Sequence, residues 1–203
     1  ANGATGESYV VFGGAVNLAA LDLLNSVTSD GLIDLADLDG ANGFALVGIA
    51  GVDNSGSSVA GVGDINGDGI DDLVIGAYGA DGNIGESYVV FGGAANLENL
   101  DDPVSLSRDG IIGLGALDGT NGFRLAGIDS NDRSGFSVSG AGDVNGDGFG
   151  DIIVGAPGAG PSADIGEAYV VFGKAGGFAA SFDLSTLDGT NGFRLDGGNG
   201  RSG

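Results

Sequence analysis

The sequence predicts an all-β protein built from repeated blades of four short antiparallel strands. Three observations predict it: a Gly-Glu-x-Tyr-Val-Val-Phe-Gly segment begins at residues 6, 85 and 166, an acidic loop occurs twice, and short apolar runs bounded by glycine follow each loop. A fixed period indicates a repeat architecture, and short β-branched runs between glycines are typical of strands. The chain has 45 Gly but only 3 Pro in 203 residues, and it lacks the Gly-X-Y period of collagen.

The acidic loops, at residues 64–72 and 143–151, share the pattern D-x-N-x-D-G-x-x-D. A hard cation such as calcium takes roughly six to eight oxygen ligands, often including a backbone carbonyl. Alternate residues of a tight loop can direct their oxygens at one centre, and the Gly at the sixth position permits the sharp turn. The candidate metal ligands are therefore the side chains of Asp64, Asn66, Asp68 and Asp72 with the Ile70 carbonyl, and the side chains of Asp143, Asn145, Asp147 and Asp151 with the Phe149 carbonyl.

We expect one calcium ion in each loop, two in the chain, because converging carboxylates without a cation would repel one another and raise their own pKa values. The alternative is a pair of metal-free turns, since Asp and Gly dominate turns in general. Asp71 stands where the second loop has Gly150, so it is left out of the ligand set. The twelfth position holds Ile75 or Val154 rather than the bidentate Glu of an EF-hand, which predicts a calcium loop within a β-hairpin.

Each repeat unit offers four strands, here named A to D in chain order. The predicted ranges are residues 57–61 and 136–140 for A, 72–75 and 151–154 for B, 9–12, 88–91 and 169–172 for C, and 44–47, 123–126 and 193–196 for D. Strand C is apolar on both alternating faces, which is typical of a strand buried on both sides. Four such strands, repeated, predict a propeller blade sandwiched between neighbouring blades. The C–D connection varies in length and is predicted to contain helical turns at residues 17–24 and 96–100.

The units divide the chain into a half blade at residues 1–55 and two full blades at 56–134 and 135–203. Since a unit has about 80 residues, the smallest propeller, of about four blades, would need about 320. The sequence therefore predicts a partial propeller of about two and a half blades. We expect it to be a section of a longer protein; the alternative is an assembly in which copies stack.

The charge excludes several function classes. Against 28 Asp and Glu stand 6 Lys and Arg, which gives a formal net charge of −22. Nucleic acids and anionic membranes are bound through clustered Lys and Arg, so neither is an expected partner. The chain has no Cys, so it has no disulfide, and no His, the commonest general base. It has no apolar run of transmembrane length, so membrane insertion is not expected.

These motifs together resemble the FG-GAP repeat. The resemblance rests on Val-Phe-Gly-Gly-Ala at 11–15 and 90–94, on Gly-Ala-Pro at 155–157 and on the acidic loops. FG-GAP repeats form the propeller of integrin alpha subunits and occur in many secreted bacterial proteins, so the resemblance implies a secreted or cell-surface β-propeller. The chain departs from the pattern at Tyr78, which replaces the Pro, and at Lys174, which interrupts the third Phe-Gly-Gly.

The function predicted from these features is a calcium-binding, non-catalytic extracellular scaffold for adhesion or surface assembly. Its expected partners are a protein or glycan ligand and further repeats of the same or a neighbouring chain. One alternative is a structural filament or sheath built of stacked repeats. Others are a polysaccharide-active enzyme or a lectin, for which the candidate residues are Glu7, Glu86 and Glu167 and Tyr9, Tyr88 and Tyr169, respectively. These recur at one place in every unit, which favours a structural role.

Overall fold

The computed structural model describes residues 5–24, 30–101, 109–160 and 165–198. Its strands in chain order are β1 (Glu7–Val11), β2 (Gly43–Val47), β3 (Ser58–Gly63), β4 (Asp72–Ala77), β5 (Glu86–Val90), β6 (Ile111–Gly113), β7 (Gly122–Ala126), β8 (Ser137–Gly142), β9 (Asp151–Ala156), β10 (Glu167–Val171), β11 (Ser181–Asp183) and β12 (Gly192–Asp196). The helices are α1 (Ala15–Leu24), α2 (Ala80–Asn83) and α3 (Ala94–Leu100), with 3-10 turns at Leu35–Asp37, Leu114–Ala116 and Leu184–Thr186. None of the helices in these ranges is both long and apolar enough to cross a bilayer.

The strands form three sheets, with the orders β1-β2-β6, β11-β7-β5-β4-β3 and β12-β10-β9-β8. The second and third sheets each contain the predicted four-stranded antiparallel blade, A-B-C-D, as β3-β4-β5-β7 and β8-β9-β10-β12. The first contains strands C and D of its own blade, as β1 and β2, together with β6. The all-β fold of repeated blades is confirmed. The predicted helical turns are also confirmed, as α1 and α3, and each begins just after the Phe-Gly-Gly that ends strand C.

Neighbouring blades are joined by short strands that the sequence analysis missed. β6 belongs in sequence to the second blade, yet it pairs in parallel with β2 of the first, with Ile112 opposite Leu46. β11 of the third blade pairs in the same way with β7 of the second, with Phe182 opposite Leu125. The sheets therefore do not end at the boundaries of the sequence repeats, because the C–D connections of the second and third blades each add a strand to the preceding blade.

Apolar residues fill the two interfaces between blades. Strand β5 contributes side chains to both interfaces, since Tyr88 and Val90 face the first blade whereas Val89 faces the third. All five residues of β5 are buried, as predicted for a strand covered on both faces. The prediction is wrong for β1, where Tyr9 is 41% exposed, because the face that Tyr88 turns to the first blade has no blade against it in β1 among the described residues.

Glycine allows the backbones of neighbouring blades to touch. A Cβ on Gly140 in β8 would lie 2.8 Å from the carbonyl oxygen of Gly61 in β3, whereas a Cβ on Gly61 would meet nothing nearer than the Asp72 carbonyl at 4.0 Å. The two glycines occupy the same repeat position, so they form a matched pair.

We expect Gly140→Ala to lower the free energy of unfolding by about 1–3 kcal/mol, because strand backbones cannot separate without loosening the interface. The matched Gly61→Ala should change it by less than about 1 kcal/mol, in the stabilising direction, since Ala restricts the unfolded chain. Urea unfolding of both variants measures the difference. Equal effects would contradict the assignment of β3 and β8 as the contact between blades.

Candidate metal centre

The two acidic loops are the turns of the A–B hairpins. Residues 64–72 connect β3 to β4, and residues 143–151 connect β8 to β9. Both glycines of the first loop have positive φ, 79° at Gly67 and 87° at Gly69, and the corresponding values in the second are 79° at Gly146 and 94° at Gly148. Residues other than Gly rarely adopt a positive φ, so the glycines determine the backbone conformation of the turn. The prediction that the loops lie in hairpins is confirmed.

The first Asp of each loop holds the turn closed. The Asp64 carboxylate accepts hydrogen bonds from the backbone N–H groups of Gly67 at 2.7 Å and Gly69 at 2.8 Å. Asp143 accepts the same bonds from Gly146 at 2.7 Å and Gly148 at 2.9 Å. Backbone N–H groups of the loop itself therefore provide the positive partial charges that stabilise this carboxylate.

The third and fifth positions are tied to each other. The Asp68 N–H donates to Asn66 Oδ1 at 2.9 Å, and Asn66 Nδ2 donates to Asp68 Oδ2 at 3.0 Å. Asn145 and Asp147 make the same pair of bonds at 3.1 and 2.8 Å. These side chains are mostly exposed, so a cation arriving from solvent meets them first.

The ninth position is buried and links the loop to strand C. Asp72 is 0% exposed, and its carboxylate accepts from the Ile65 N–H at 3.0 Å and from the Gly92 N–H, just after β5, at 2.8 Å. Asp151 is likewise 0% exposed and accepts from Val144 at 2.7 Å and Gly173 at 2.9 Å. The role of Gly92 and Gly173 was missed, because no sequence pattern shows that the end of strand C lies beside the loop.

The pKa of Asp72 is raised to about 6, chiefly by burial and to a lesser extent by the negative charges of Asp68 and Asp64, against the lowering effect of the hydrogen bonds from Gly92 and Ile65. A carboxylate that is costly to ionise beside two others is a natural place for a cation. The donor set is also made only of hard oxygen ligands, the type that calcium prefers. The residues present therefore fit calcium chemically.

The predicted ligands are only partly brought together. Asp64, Asn66 and Asp68 share one turn, and Asp72 feels the charges of both aspartates. In the described ranges, however, no group of three or more acidic side chains is placed to hold a metal ion. Backbone N–H groups and the Asn66 amide occupy the carboxylate oxygens instead. Ile70 is 47% exposed, with its side chain against Gly92 and Gly93, and Asp71, omitted from the ligand set, is exposed. The calcium ions stay a prediction.

The two loops also contact each other. The Gly150 N–H donates to the Asp64 carbonyl at 2.8 Å, and the Phe149 ring lies against Gly67, where a Cβ would come within 2.5 Å of the ring. Phe149 occupies the position of Ile70 in the first loop. The second loop is thereby packed on the first, so the two candidate sites are mechanically connected.

The repeated glutamates and tyrosines form a second set of polar contacts. The Tyr88 hydroxyl donates to Glu86 at 2.6 Å, and Arg124 pairs with Glu86 at 3.0 Å. Burial raises the pKa of Tyr88, and its hydrogen bond to Glu86 raises it further. Tyr169 repeats the bond to Glu167 at 2.6 Å. Both tyrosines are 1% exposed, so neither presents a ring for stacking on a sugar.

Comparison with known protein families supports the assignment of the chain to the FG-GAP repeats. The FG-GAP repeat family matches residues 55–90 and 134–171. Each match runs from just before strand A through the acidic loop and strand B to strand C. No curated protein sequence matches the chain. FG-GAP repeats indicate a β-propeller scaffold of the integrin type, and the sheets described above have the strand order of its blades. The chain is therefore an FG-GAP repeat protein.

Proposed function

We propose that this chain is a calcium-binding, non-catalytic extracellular scaffold whose blades support adhesion or surface assembly. The observation that carries the proposal is the repetition of one oxygen-rich turn at the same place in two blades, with matching hydrogen bonds at all four side-chain positions. The side chains of Asp64, Asn66, Asp68 and Asp72 would hold one ion, and the corresponding four would hold the second. Calcium, when bound, would neutralise the carboxylates of the turn.

The residues of each loop have different structural roles. Asp64 closes the turn through backbone N–H groups, while Asp68 is exposed and the half-buried Asn66 is hydrogen-bonded to it. Asp72 joins the hairpin to the end of β5. An ion held by the exposed and the buried carboxylates would therefore couple the turn to the blade sheet, which is the way metal binding contributes to folding.

The remaining carboxylates support a non-catalytic role. Glu86 is engaged by both Tyr88 and Arg124, and Glu167 is engaged by Tyr169. A general acid or base needs access to substrate, whereas these groups satisfy one another at the blade interior. The ligand surface of a propeller lies in its loops, so we place the contact with a protein or glycan there, outside the strands.

Calcium titration by calorimetry tests the proposal. The wild-type chain should bind two ions, with affinity in the weak extracellular class of roughly 10⁻⁴–10⁻³ M, because each loop has three Asp and no bidentate Glu. Asp68→Ala should reduce the number to one. Asp71→Ala is the matched control: it removes one charge from the same loop and should leave two ions bound. Two ions in both variants, or one in both, would contradict the ligand assignment.

A polysaccharide screen tests the absence of catalysis. We expect no cleavage of acidic or neutral polysaccharides with calcium present, since Glu86 and Glu167 are held in hydrogen bonds to buried tyrosines and the exposed Glu7 is hydrogen-bonded to Tyr9. Cleavage that Glu86→Gln abolishes while the melting temperature stays unchanged would show that a repeated glutamate is catalytic and would overturn this part of the proposal.

A further inference from the structure

Five Asn-Gly pairs lie in the described part of the chain, in two kinds of surroundings. Three of them stand at the start of strand D, at residues 42–43, 121–122 and 191–192, and two lie inside the acidic loops, at 66–67 and 145–146. An Asn side chain loses its amide most readily when Gly follows it, because the backbone nitrogen of a glycine is uncrowded. The surroundings of each pair therefore decide whether it reacts.

The pairs at the start of strand D are fixed by the blades. Strand β7 begins at Gly122, which is buried. Oδ1 of Asn121 accepts from the Asp118 N–H at 2.9 Å, and Nδ2 donates to the carbonyl five residues earlier at 3.2 Å. The side chain therefore turns towards the preceding residues, away from the Gly122 nitrogen. Asn42 and Asn191 make the same two bonds, and the glycines that follow them are also buried.

The pairs in the acidic loops have the opposite geometry. Oδ1 of Asn66 accepts from the N–H of Asp68, two residues further along the chain, at 2.9 Å, and Asn145 repeats this bond at 3.1 Å. The bond closes an Asx-turn, which folds the side chain over the peptide group that follows it. Cγ of the asparagine therefore lies on the side of the next nitrogen. Gly67 and Gly146 are exposed, so these nitrogens are accessible without the opening of a strand.

The same turns supply partners for the proton and the charge of a ring closure. The Gly67 N–H donates to the Asp64 carboxylate at 2.7 Å, so the proton that this nitrogen must lose already has an acceptor. The Asp68 N–H, bonded to Asn66 Oδ1, is a donor for the negative charge that develops on that oxygen. The second loop has the corresponding contacts at 2.7 and 3.1 Å.

We propose that Asn66 and Asn145 are sites of spontaneous deamidation. In the first loop, the Gly67 nitrogen forms a bond to Cγ of Asn66 and gives its proton to the Asp64 carboxylate. The Cγ–Nδ2 bond then breaks, and its electron pair and that proton leave with the nitrogen as ammonia. Water opens the resulting succinimide at one of its two carbonyls, which gives aspartate or isoaspartate. The net reaction exchanges a neutral amide for a carboxylate, with water as the co-reactant.

The modification alters the candidate metal centre, a consequence that rests on the proposed function. Aspartate at position 66 gives the loop a fourth carboxylate among its candidate ligands, and the affinity of oxygen-lined loops for calcium depends on the number of charged ligands. Isoaspartate instead lengthens the main chain by one methylene between Asp64 and Asp68, which changes the register of the oxygens. The calcium affinity of each loop therefore changes with the age of the protein.

Peptide mapping of the full chain by mass spectrometry, after incubation at neutral pH in EDTA, tests the proposal. We expect Asn66 and Asn145 to lose their amides at least about tenfold faster than the strand sites, because those sites must open locally before they react. The strand sites are Asn42, Asn121 and Asn191. In urea that unfolds the chain, the five rates should become similar, since the same residue follows each Asn. Equal rates in the folded chain, or slower loss in the loops, would overturn the proposal.

The variant Asp143→Asn tests the reaction path with the first loop as the control in the same molecule. Its side chain keeps an oxygen that can accept from the Gly146 N–H but no longer takes a proton. Deamidation of Asn145 should slow at least about tenfold, the loss expected for a general base, while that of Asn66 stays unchanged. Unchanged or faster loss at Asn145 would show that the carboxylate only restrains the turn and would overturn this path. Because metal is absent throughout, a negative result leaves the calcium titration unaffected.

Discussion

Removing calcium is expected to lower the melting temperature of this protein by roughly 6–20 °C. Two sites with dissociation constants of about 0.1–1 mM contribute together roughly 3–5 kcal/mol at about 10 mM calcium. A chain of this length shifts by about 2–4 °C per kcal/mol. The physical source is the set of acidic side chains in each turn, including buried Asp72, which an ion would neutralise. Thermal unfolding in calcium and in EDTA, followed by circular dichroism, measures the shift.

The double variant Asp68→Ala/Asp147→Ala should lose most of this dependence, because it removes an exposed ligand from each loop. Its melting temperature should be the same in calcium and in EDTA within about 2 °C. Magnesium should not replace calcium in the wild-type chain, since its smaller octahedral shell dehydrates reluctantly. A wild-type melting temperature that chelation leaves unchanged would show that the turns are stable without metal.

Asp72→Ala is expected to destabilise the protein by roughly 2–6 kcal/mol even in EDTA. The substitution leaves two backbone donors without an acceptor, the N–H groups of Ile65 and Gly92, and each such donor costs about 1–3 kcal/mol when buried. It also breaks the link between the loop and the end of β5. Urea unfolding in EDTA isolates this structural cost from the loss of an ion.

Asp68→Ala is the comparison in the same loop. Asp68 is exposed, and its removal in EDTA should change the free energy of unfolding by less than about 1 kcal/mol. In calcium, by contrast, both variants should lose one ion. If Asp72→Ala were as mild as Asp68→Ala in EDTA, the buried carboxylate would have no structural role beyond metal binding.

Local patterns predicted the blades well. The acidic loops lie between paired strands, and strands B, C and D begin within two residues of their predicted starts. The reason is physical: a glycine or an Asn-Gly turn bounds each run, and alternating apolar residues specify which faces are covered. The helical turns predicted in the C–D connections end where α1 and α3 end, at Leu24 and Leu100, but both helices begin two residues before the predicted start.

Contacts between distant residues could not be predicted from the same patterns. The three-residue strands β6 and β11 are too short to show a period, and they form only because the D strand of the preceding blade offers an edge. The hydrogen bond from Gly92 to Asp72 joins residues 20 positions apart, and no sequence pattern in either segment predicts it. The exposure of Tyr9 likewise depends on a missing neighbour rather than on its own sequence, which is identical to that around Tyr88.

An anomalous-difference map from crystals grown in calcium tests the central claim most directly. We predict two peaks, one per acidic loop, each about 2.3–2.6 Å from carboxylate oxygens of its three aspartates, with Asn66 and Asn145 released from their bonds to Asp68 and Asp147. A map without peaks at saturating calcium, in which both turns keep the hydrogen bonds described here, would contradict the assignment of these loops as calcium sites.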